Sequence, residues 1–375
     1  MNLFSPSAAL GASGTVTKAS PSDVRCNNKA LIFQLLYPTT QLSRAEIGRR
    51  TGLSRVAVSD VVSEMIDEGL IRESGLERSS GKGKRGTLLS IDADRLHVLC
   101  IEIADSHVLY GAVSNLLGSI IHQAKFTSAP HNTVDADDIA RLIEDLRGYA
   151  DHIIGIGVTV PGVVVDGTVR RSTELEWHNV DLRTPLEQRF GLPVSIDNDS
   201  TSGMLAERFF GDGRSDLMFV WARRGIGTAL LINDFPISGE NHAGGEIGHI
   251  STDPQGPPCR CGKRGCLERM IATATLEQRI SEHPENRQAI LEQAGIHLAK
   301  ALAMPVGMLD ITDICVYGPS HIINDDFINA AQRYLDMTTA SSFRERTIIR
   351  RCRLDASIAL YGEVIAVLRD HLHKP

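Results

Sequence analysis

No part of the chain is more informative than Gly244-Gly245-Glu246-Ile247-Gly248-His249, followed from position 259 by Cys259-Arg260-Cys261-Gly262-Lys263-Arg264-Gly265-Cys266-Leu267-Glu268. His249, Cys259, Cys261 and Cys266 offer one imidazole and three thiolates, which close a tetrahedron around zinc and leave no position for water; the metal is therefore expected to be structural. Gly262 and Gly265 permit the tight reversal that returns Cys266 toward the other two thiols. Free thiols and an iron–sulfur centre are the competing readings, and ligand type and closeness favour zinc. Cys26, Cys100, Cys315 and Cys352 lie among apolar neighbours or singly, as core or surface thiols do.

Seven cysteines in 375 residues are too sparse for a disulfide scaffold, which agrees with a metal loop in a reducing cytoplasm. At about 150 residues per domain the length implies two or three domains and excludes a lone small binding module. The 42% hydrophobic and 23% charged residues exclude a collagen-like or wholly disordered chain. Residues 152–165 are the most apolar stretch, but Gly155, Gly157, Pro161 and Gly162 break it, and it falls short of the roughly 18 apolar residues of a spanning helix. No membrane association is expected. The first Lys stands at position 18 in a Ser/Ala/Thr/Pro/Gly segment, so residues 1–24 read as a disordered lead-in rather than a secretory signal.

Charge divides the chain. Up to residue 95 there are 13 Lys/Arg against 10 Asp/Glu, and beyond it 26 against 36, so a head of net +3 precedes a body of net −10. A basic head on an acidic body suits a DNA reader with a separate module behind it.

Residues 25–92 have the element order of a winged helix-turn-helix domain. From a cap at Asn27, Leu31, Ile32, Leu35 and Leu36 recur at helical spacing until Pro38 forbids continuation. Ser43 with Glu46 predicts a capping box for a short helix that Gly52 ends. Ser54 caps a third helix with Val58, Val61, Val62 and Met65 on one face. Residues 70–73 and 88–91 then alternate as paired strands around a Gly-rich basic tip, the wing. A helix N-terminus fits the major groove, and a thin cationic hairpin releases counterions from the backbone. Ser54, Arg55, Ala57 and Ser59 are the expected base-facing positions, beside Asp60, with Arg55 suited to a guanine edge; Lys82, Lys84 and Arg85 serve the wing. Dimerisation or protein docking would suit the helices alone, but cap, turn, wing and charge together favour DNA.

Residues 93–375 change to apolar strands at 98–103, 108–113, 153–160, 163–165, 217–221 and 229–232. Helical stretches intervene at 136–149, 185–190, 202–210, 276–280 and 286–302, and 354–368 reads as an amphipathic terminal helix. Strands mixed with helices over this length predict an α/β body of two lobes.

These blocks, with Val160-Pro161-Gly162, Asp197-Asn198-Asp199, Leu205-Ala206-Glu207, Gly225-Ile226-Gly227 and the head's Leu42 to Ile47 and Thr51 to Arg55 runs, make the chain resemble the ROK family of sugar kinases and sugar-responsive repressors over nearly its whole length. The resemblance implies an actin/hexokinase-like body with a sugar in its cleft. It places Asn198, Asp199, Glu246, His249 and Glu268 on sugar hydroxyls, and His249 also on the metal. Carboxylates accept from pairs of hydroxyls and an amide both donates and accepts, so the set suits a polyol. The residues around Trp177 to Asp181 would supply a loop that tunes sugar choice.

In the family's kinases Asp199 would take the proton of the reacting hydroxyl. Their Asp-x-Gly-Gly-Thr phosphate turn is here Glu102-Ile103-Ala104-Asp105-Ser106, and Arg223-Arg224 precede the Gly225 run. Side chains replace the glycines, and Asp105 would set negative charge beside phosphates at a cost of ~1 kcal/mol or more per contact. Little or no phosphotransfer is expected. The reading is a cytoplasmic sugar-responsive repressor, a homodimer or tetramer that binds double-stranded operator DNA and a mono- or oligosaccharide. An ATP-dependent sugar kinase is the alternative.

Overall fold

The computed structural model describes residues 20–77, 85–128, 133–340, 342–343 and 345–373. Most of the expected lead-in, and the wing residues Lys82 and Lys84, lie outside these.

The head opens with helix α1 (Pro21–Leu36), which starts earlier than the Asn27 cap predicts and takes in residues 21–24 of the expected lead-in. Ser20 accepts from the Asp23 N–H and the Asp23 carboxylate accepts from the Ser20 N–H at 2.7 Å, a reciprocal cap that outcompetes Asn27. Proline at the first helical position has no N–H to leave unsatisfied. Ile32, Phe33 and Leu36 are fully buried. After the short strand β1 (Leu42–Ser43), helix α2 (Arg44–Thr51) ends at Gly52, whose φ of 74° only glycine adopts freely. Ser43 caps it, but the expected box is half made: the Glu46 carboxylate is taken by Arg49 and by Arg50, 2.7 Å away. Helix α3 (Arg55–Asp67) is capped by Ser54 and buries Val58, Val61, Val62 and Met65. Strands β2 (Ile71–Leu76) and β3 (Thr87–Ile91) pair antiparallel with β1 on the outer side of β3, a three-stranded wing sheet.

The chain divides into two compact units, residues 1–198 with 363–375, and residues 199–362. The first unit holds the head and β4 (His97–Asp105), β5 (Val108–Asn115), β6 (Ile120–Thr127), α4 (Ala136–Leu146), β7 (Ile153–Val160), β8 (Val163–Val165), β9 (Thr168–Ser172), β10 (Trp177–Asp181), α5 (Arg183–Phe190) and β11 (Val194–Asn198). Its five-stranded sheet runs β11-β7-β4-β5-β6, with β4, β5 and β6 an antiparallel meander and β7 and β11 parallel to β4. Leu99, Ile101, Val113, Ile139, Ile143 and Val158 fill the core. Residues 177–181, expected as a loop, form β10 and pair with β9.

The second unit contains α6 (Asp199–Phe210), β12 (Leu217–Ala222), β13 (Ile226–Ile232), β14 (Phe235–Pro236), α7 (Leu267–Ile271), α8 (Thr273–Glu282), α9 (Arg287–Leu309), β15 (Asp313–Tyr317), α10 (Asp325–Thr339) and β16 (Ile348–Arg351). Its sheet order, β14-β13-β12-β15-β16, repeats the first unit's plan of a meander extended by two parallel strands. The repeat accounts for the two lobes. Within this unit Arg350 forks onto Asp313 at 2.7 and 2.9 Å and reaches Glu207 at 2.6 Å, tying β15, β16 and α6 together.

Helix α11 (Ile358–Leu372) begins in the second unit, and from Glu363 onward it belongs to the first. There it packs on β7 and β11. Glu363 and Val367 occupy the space left by the missing side chains of Gly157 and Gly155, Asp370 accepts from the Ser195 hydroxyl at 2.6 Å, and Arg369 faces Asp197 at 3.7 Å.

Candidate functional site

The metal-binding residues predicted from sequence come together. His249 ends a short 3-10 turn (Ile247–His249), and its Nδ1 lies 3.7 Å from Cys259 Sγ, while Cys261 and Cys266 Sγ are 3.5 Å apart. All four ligand atoms lie within 4.8 Å of one another. A zinc tetrahedron with about 2.3 Å Zn–S and about 2.0 Å Zn–N bonds has edges of roughly 3.5–3.8 Å, so the spacing fits the ion.

The backbone builds this cage locally. Ser251 bridges to Cys266 and Pro258 to Arg264, the Cys259 N–H donates to Lys263 O at 2.8 Å, and the Gly262 N–H donates to Cys259 O at 3.0 Å. Gly265 has φ 58°, and a Cβ there would stand 1.6 Å from Asp253 O, so no other residue can make this turn. The Lys263 N–H holds the Cys261 thiol below its usual range, whereas burial and the neighbouring thiols push Cys266 up to about 12. A cluster of thiols resists ionisation by itself, and a divalent cation supplies the missing positive charge.

The polar residues expected on a sugar converge partly on β13. Asp199 opens α6, its Oδ1 accepting the Ser200 N–H at 2.8 Å, and Ser200 Oγ fills the space left beside Gly227. The next residue, Thr228, grips the turn that carries Glu246, its N–H and hydroxyl each donating to Gly245 O at 2.9 Å. Gly248 packs on Ile226 O, and the Glu268 carboxylate lies against Gly225. The run from Gly225 to Thr228 thereby gathers Asp199, Glu246, His249 and Glu268. In sequence that run entered only as one block of the family resemblance; its role in holding these residues comes from the close neighbours of Gly225 and Gly227. Desolvation raises the Glu246 carboxyl, with His249 opposing and Glu268 reinforcing the shift. Asn198 ends β11 and donates to Gly162 O at 3.3 Å.

In the head, Ser54, Arg55 and Ser59 are exposed, Ala57 is half-buried, and Arg85 is exposed where the described wing resumes. Val56, which sequence reading passed over, is 69% exposed at the second position of α3. Glu102 is buried in β4. Among the described residues no helix is long and apolar enough to cross a membrane.

The ROK family model matches residues 98–350. The xylose repressor of Caldicellulosiruptor bescii is 31% identical over 261 residues, which cover 66% of this chain and 64% of the repressor; the chain thus spans just under two thirds of that relative. The DNA-binding transcriptional dual regulator NagC of Escherichia coli is 24% identical over 370 residues, 89% of this chain and 90% of its own. Among solved structures, a ROK family transcriptional regulator homologous to the Escherichia coli MLC protein superposes with a TM-score of 0.80 at 20% identity, covering 93% of this chain and 97% of its own. A ROK family glucokinase from Streptomyces griseus gives 0.61 at 21% identity, covering 72% of this chain and 98% of its own.

Proposed function

For a chain that belongs to the ROK family, as this one does, we propose the work of a sugar-responsive transcriptional repressor: the winged head binds operator DNA and the body senses a saccharide. One observation carries the reading. The glucokinase fold uses 98% of its own length to cover 72% of this chain, whereas the regulator fold covers 93%. The ROK family model begins at residue 98, and the head ahead of it carries a helix-turn-helix with an exposed α3 N-terminus, the arrangement that enters a major groove.

In this reading Ser54, Arg55, Val56, Ala57 and Ser59 face base edges, and Lys82, Lys84 and Arg85 neutralise phosphates. Asn198, Asp199, Glu246, His249 and Glu268 bind sugar hydroxyls. His249, Cys259, Cys261 and Cys266 would hold structural zinc, which when bound locks the loop between Glu246 and Glu268. Phosphotransfer is not expected, because Ala104 and Asp105 stand where a phosphate turn needs glycines and Glu102 replaces the Asp that opens it. The protein works in the reducing cytoplasm as a homodimer or tetramer, whose two-fold symmetry matches a two-fold operator. For sugar to act, it must prefer one conformation of the body, and a coupling of about 1–3 kcal/mol suffices.

The test is operator binding by fluorescence anisotropy with xylose, N-acetylglucosamine, glucose and oligosaccharides derived from them. At least one sugar should change operator affinity about 5- to 150-fold. Operator affinity indifferent to all of them would refute the sugar-sensing half, and no specific operator in a genomic selection would refute the DNA half. ATP-dependent formation of sugar phosphate, abolished by Asp199→Asn, would instead establish a kinase.

A further inference from the structure

Glu207, Cys315 and Cys352 form another thiol-rich cluster in the second unit, separate in sequence from the 249–266 loop. A carboxylate oxygen and two Sγ atoms, one from each residue, lie within 4.8 Å of one another. Glu207 comes from α6, Cys315 from β15, and Cys352 from the residue after β16, held there by its N–H bond to Val316 O at 2.9 Å. Glu207 and Cys315 are buried, and Cys352 is half-exposed, which gives the cluster a path to solvent.

The carboxylate is oriented as metal ligands usually are, by an outer layer of bonds. Oε1 of Glu207 is occupied by Arg350 at 2.6 Å and by the Asp212 N–H at 3.1 Å, and Arg350 is itself clamped by Asp313. That leaves Oε2 turned to the thiols, 3.2 Å from Cys352 Sγ. With both thiols protonated, two carboxylates and one guanidinium leave the cluster one negative charge in excess. A divalent cation that displaces one thiol proton brings the group to neutrality, and displacement of both returns it to the starting charge, so binding adds no buried charge. Two sulfur donors and one carboxylate suit zinc, cobalt(II) or cadmium and disfavour magnesium or calcium.

We propose that Glu207, Cys315 and Cys352 bind a thiophilic divalent cation of the zinc class, with water completing the fourth position from the Cys352 side. Each coordinating thiol gives its proton to solvent as the metal–sulfur bond forms, and nothing is oxidised or reduced. Unlike the loop cage, this site keeps a position open.

The test is cobalt(II) titration of the metal-stripped full chain, read by thiolate-to-cobalt absorption and elemental analysis. The unaltered protein should bind two ions per chain, Cys352→Ser one, and the double variant Cys259→Ser/Cys261→Ser one, so failure of the loop site is distinguishable from failure of this one. Circular dichroism checks that each variant folds, and Cys315→Ala carries the same expectation should Cys352→Ser not fold. A single ion in the unaltered protein that Cys259→Ser/Cys261→Ser abolishes, or two ions retained in both Cys352→Ser and Cys315→Ala, overturns the proposal. So does an intact mass lower by two hydrogens with a Cys315–Cys352 disulfide and no second ion.

Discussion

Tyr37 donates its phenolic proton to the carbonyl oxygen of Leu116 at 2.9 Å, and both residues are buried. The bond joins the end of α1 in the head to the turn between β5 and β6. Burial holds the phenol's pKa well above its usual value, so it remains a donor throughout the accessible range. Tyr37→Phe removes the donor, leaves a buried carbonyl unsatisfied and should cost about 1–3 kcal/mol in urea unfolding. An unchanged midpoint would mean water replaces the hydroxyl.

Arg55→Ala should weaken a specific operator by about 1–3 kcal/mol and relax base choice at one position. Arg85→Ala should lower affinity for all sequences alike and reduce the salt slope by about 1. Titrations at several salt concentrations separate the two effects, and equal losses on specific and random DNA for Arg55→Ala would take that residue off the bases.

Gly265→Ala forces a side chain into left-handed backbone against Asp253 O. It should cost at least ~1–3 kcal/mol and release the loop metal to chelators. Metal retention after dialysis against a chelator, compared with the unaltered protein, is the measurement. Gly262, at φ 89° with open space around it, should tolerate Ala better.

Arg350→Met strips both Glu207 and Asp313 of their cation, and these two are 1% and 5% exposed. A loss of about 3–5 kcal/mol is expected, because two carboxylates stay buried without compensation. Arg346→Ala, which breaks a solvent-exposed pair with Asp336, should cost no more than about 1 kcal/mol. Comparable losses in the two variants would refute the contrast.

His297 is buried and shares a 3.0 Å hydrogen bond with the Thr252 hydroxyl. Burial lowers its pKa, nearby Lys300 and then Arg279 act in the same direction, and Asp253 opposes them. The folded protein therefore prefers the neutral ring. Its contribution is fully present above the ordinary value of 6.5 and is lost as pH falls from there toward the lowered folded value. His297→Gln keeps a hydrogen-bonding group without the titration, and should flatten the decline of thermal stability below pH 6.5. A slope identical to the unaltered protein's would assign the decline to other groups.

The parts of the fold read well from sequence were those with local causes. Ser43, Gly52 and Ser54 act within one turn of the helices they delimit, and His249, Cys259, Cys261 and Cys266 cluster within one short segment, so spacing alone reveals both. The helix start was missed because Ser20 and Asp23 cap each other ahead of a plausible Asn27. Strand β10 was missed because Asn179, at φ 52°, interrupts the alternation that marks a strand. Asp199 and Glu246 were put on one sugar by the family resemblance and not by spacing, because the link between them runs through Gly227 and Thr228, whose own side chains carry little of the signal. No pattern could join Glu207 to Arg350, 143 positions apart.

The second half of α11 lies against β7 and β11, although 164 residues of the second unit separate it in sequence from β11. Glu363 and Val367 fill the gaps at Gly157 and Gly155, so without this half of the helix one face of the first unit's sheet is open. A chain cut ahead of Glu363 would therefore leave the sheet beneath the head uncovered, and limited proteolysis should reach the first unit sooner than in the unaltered protein.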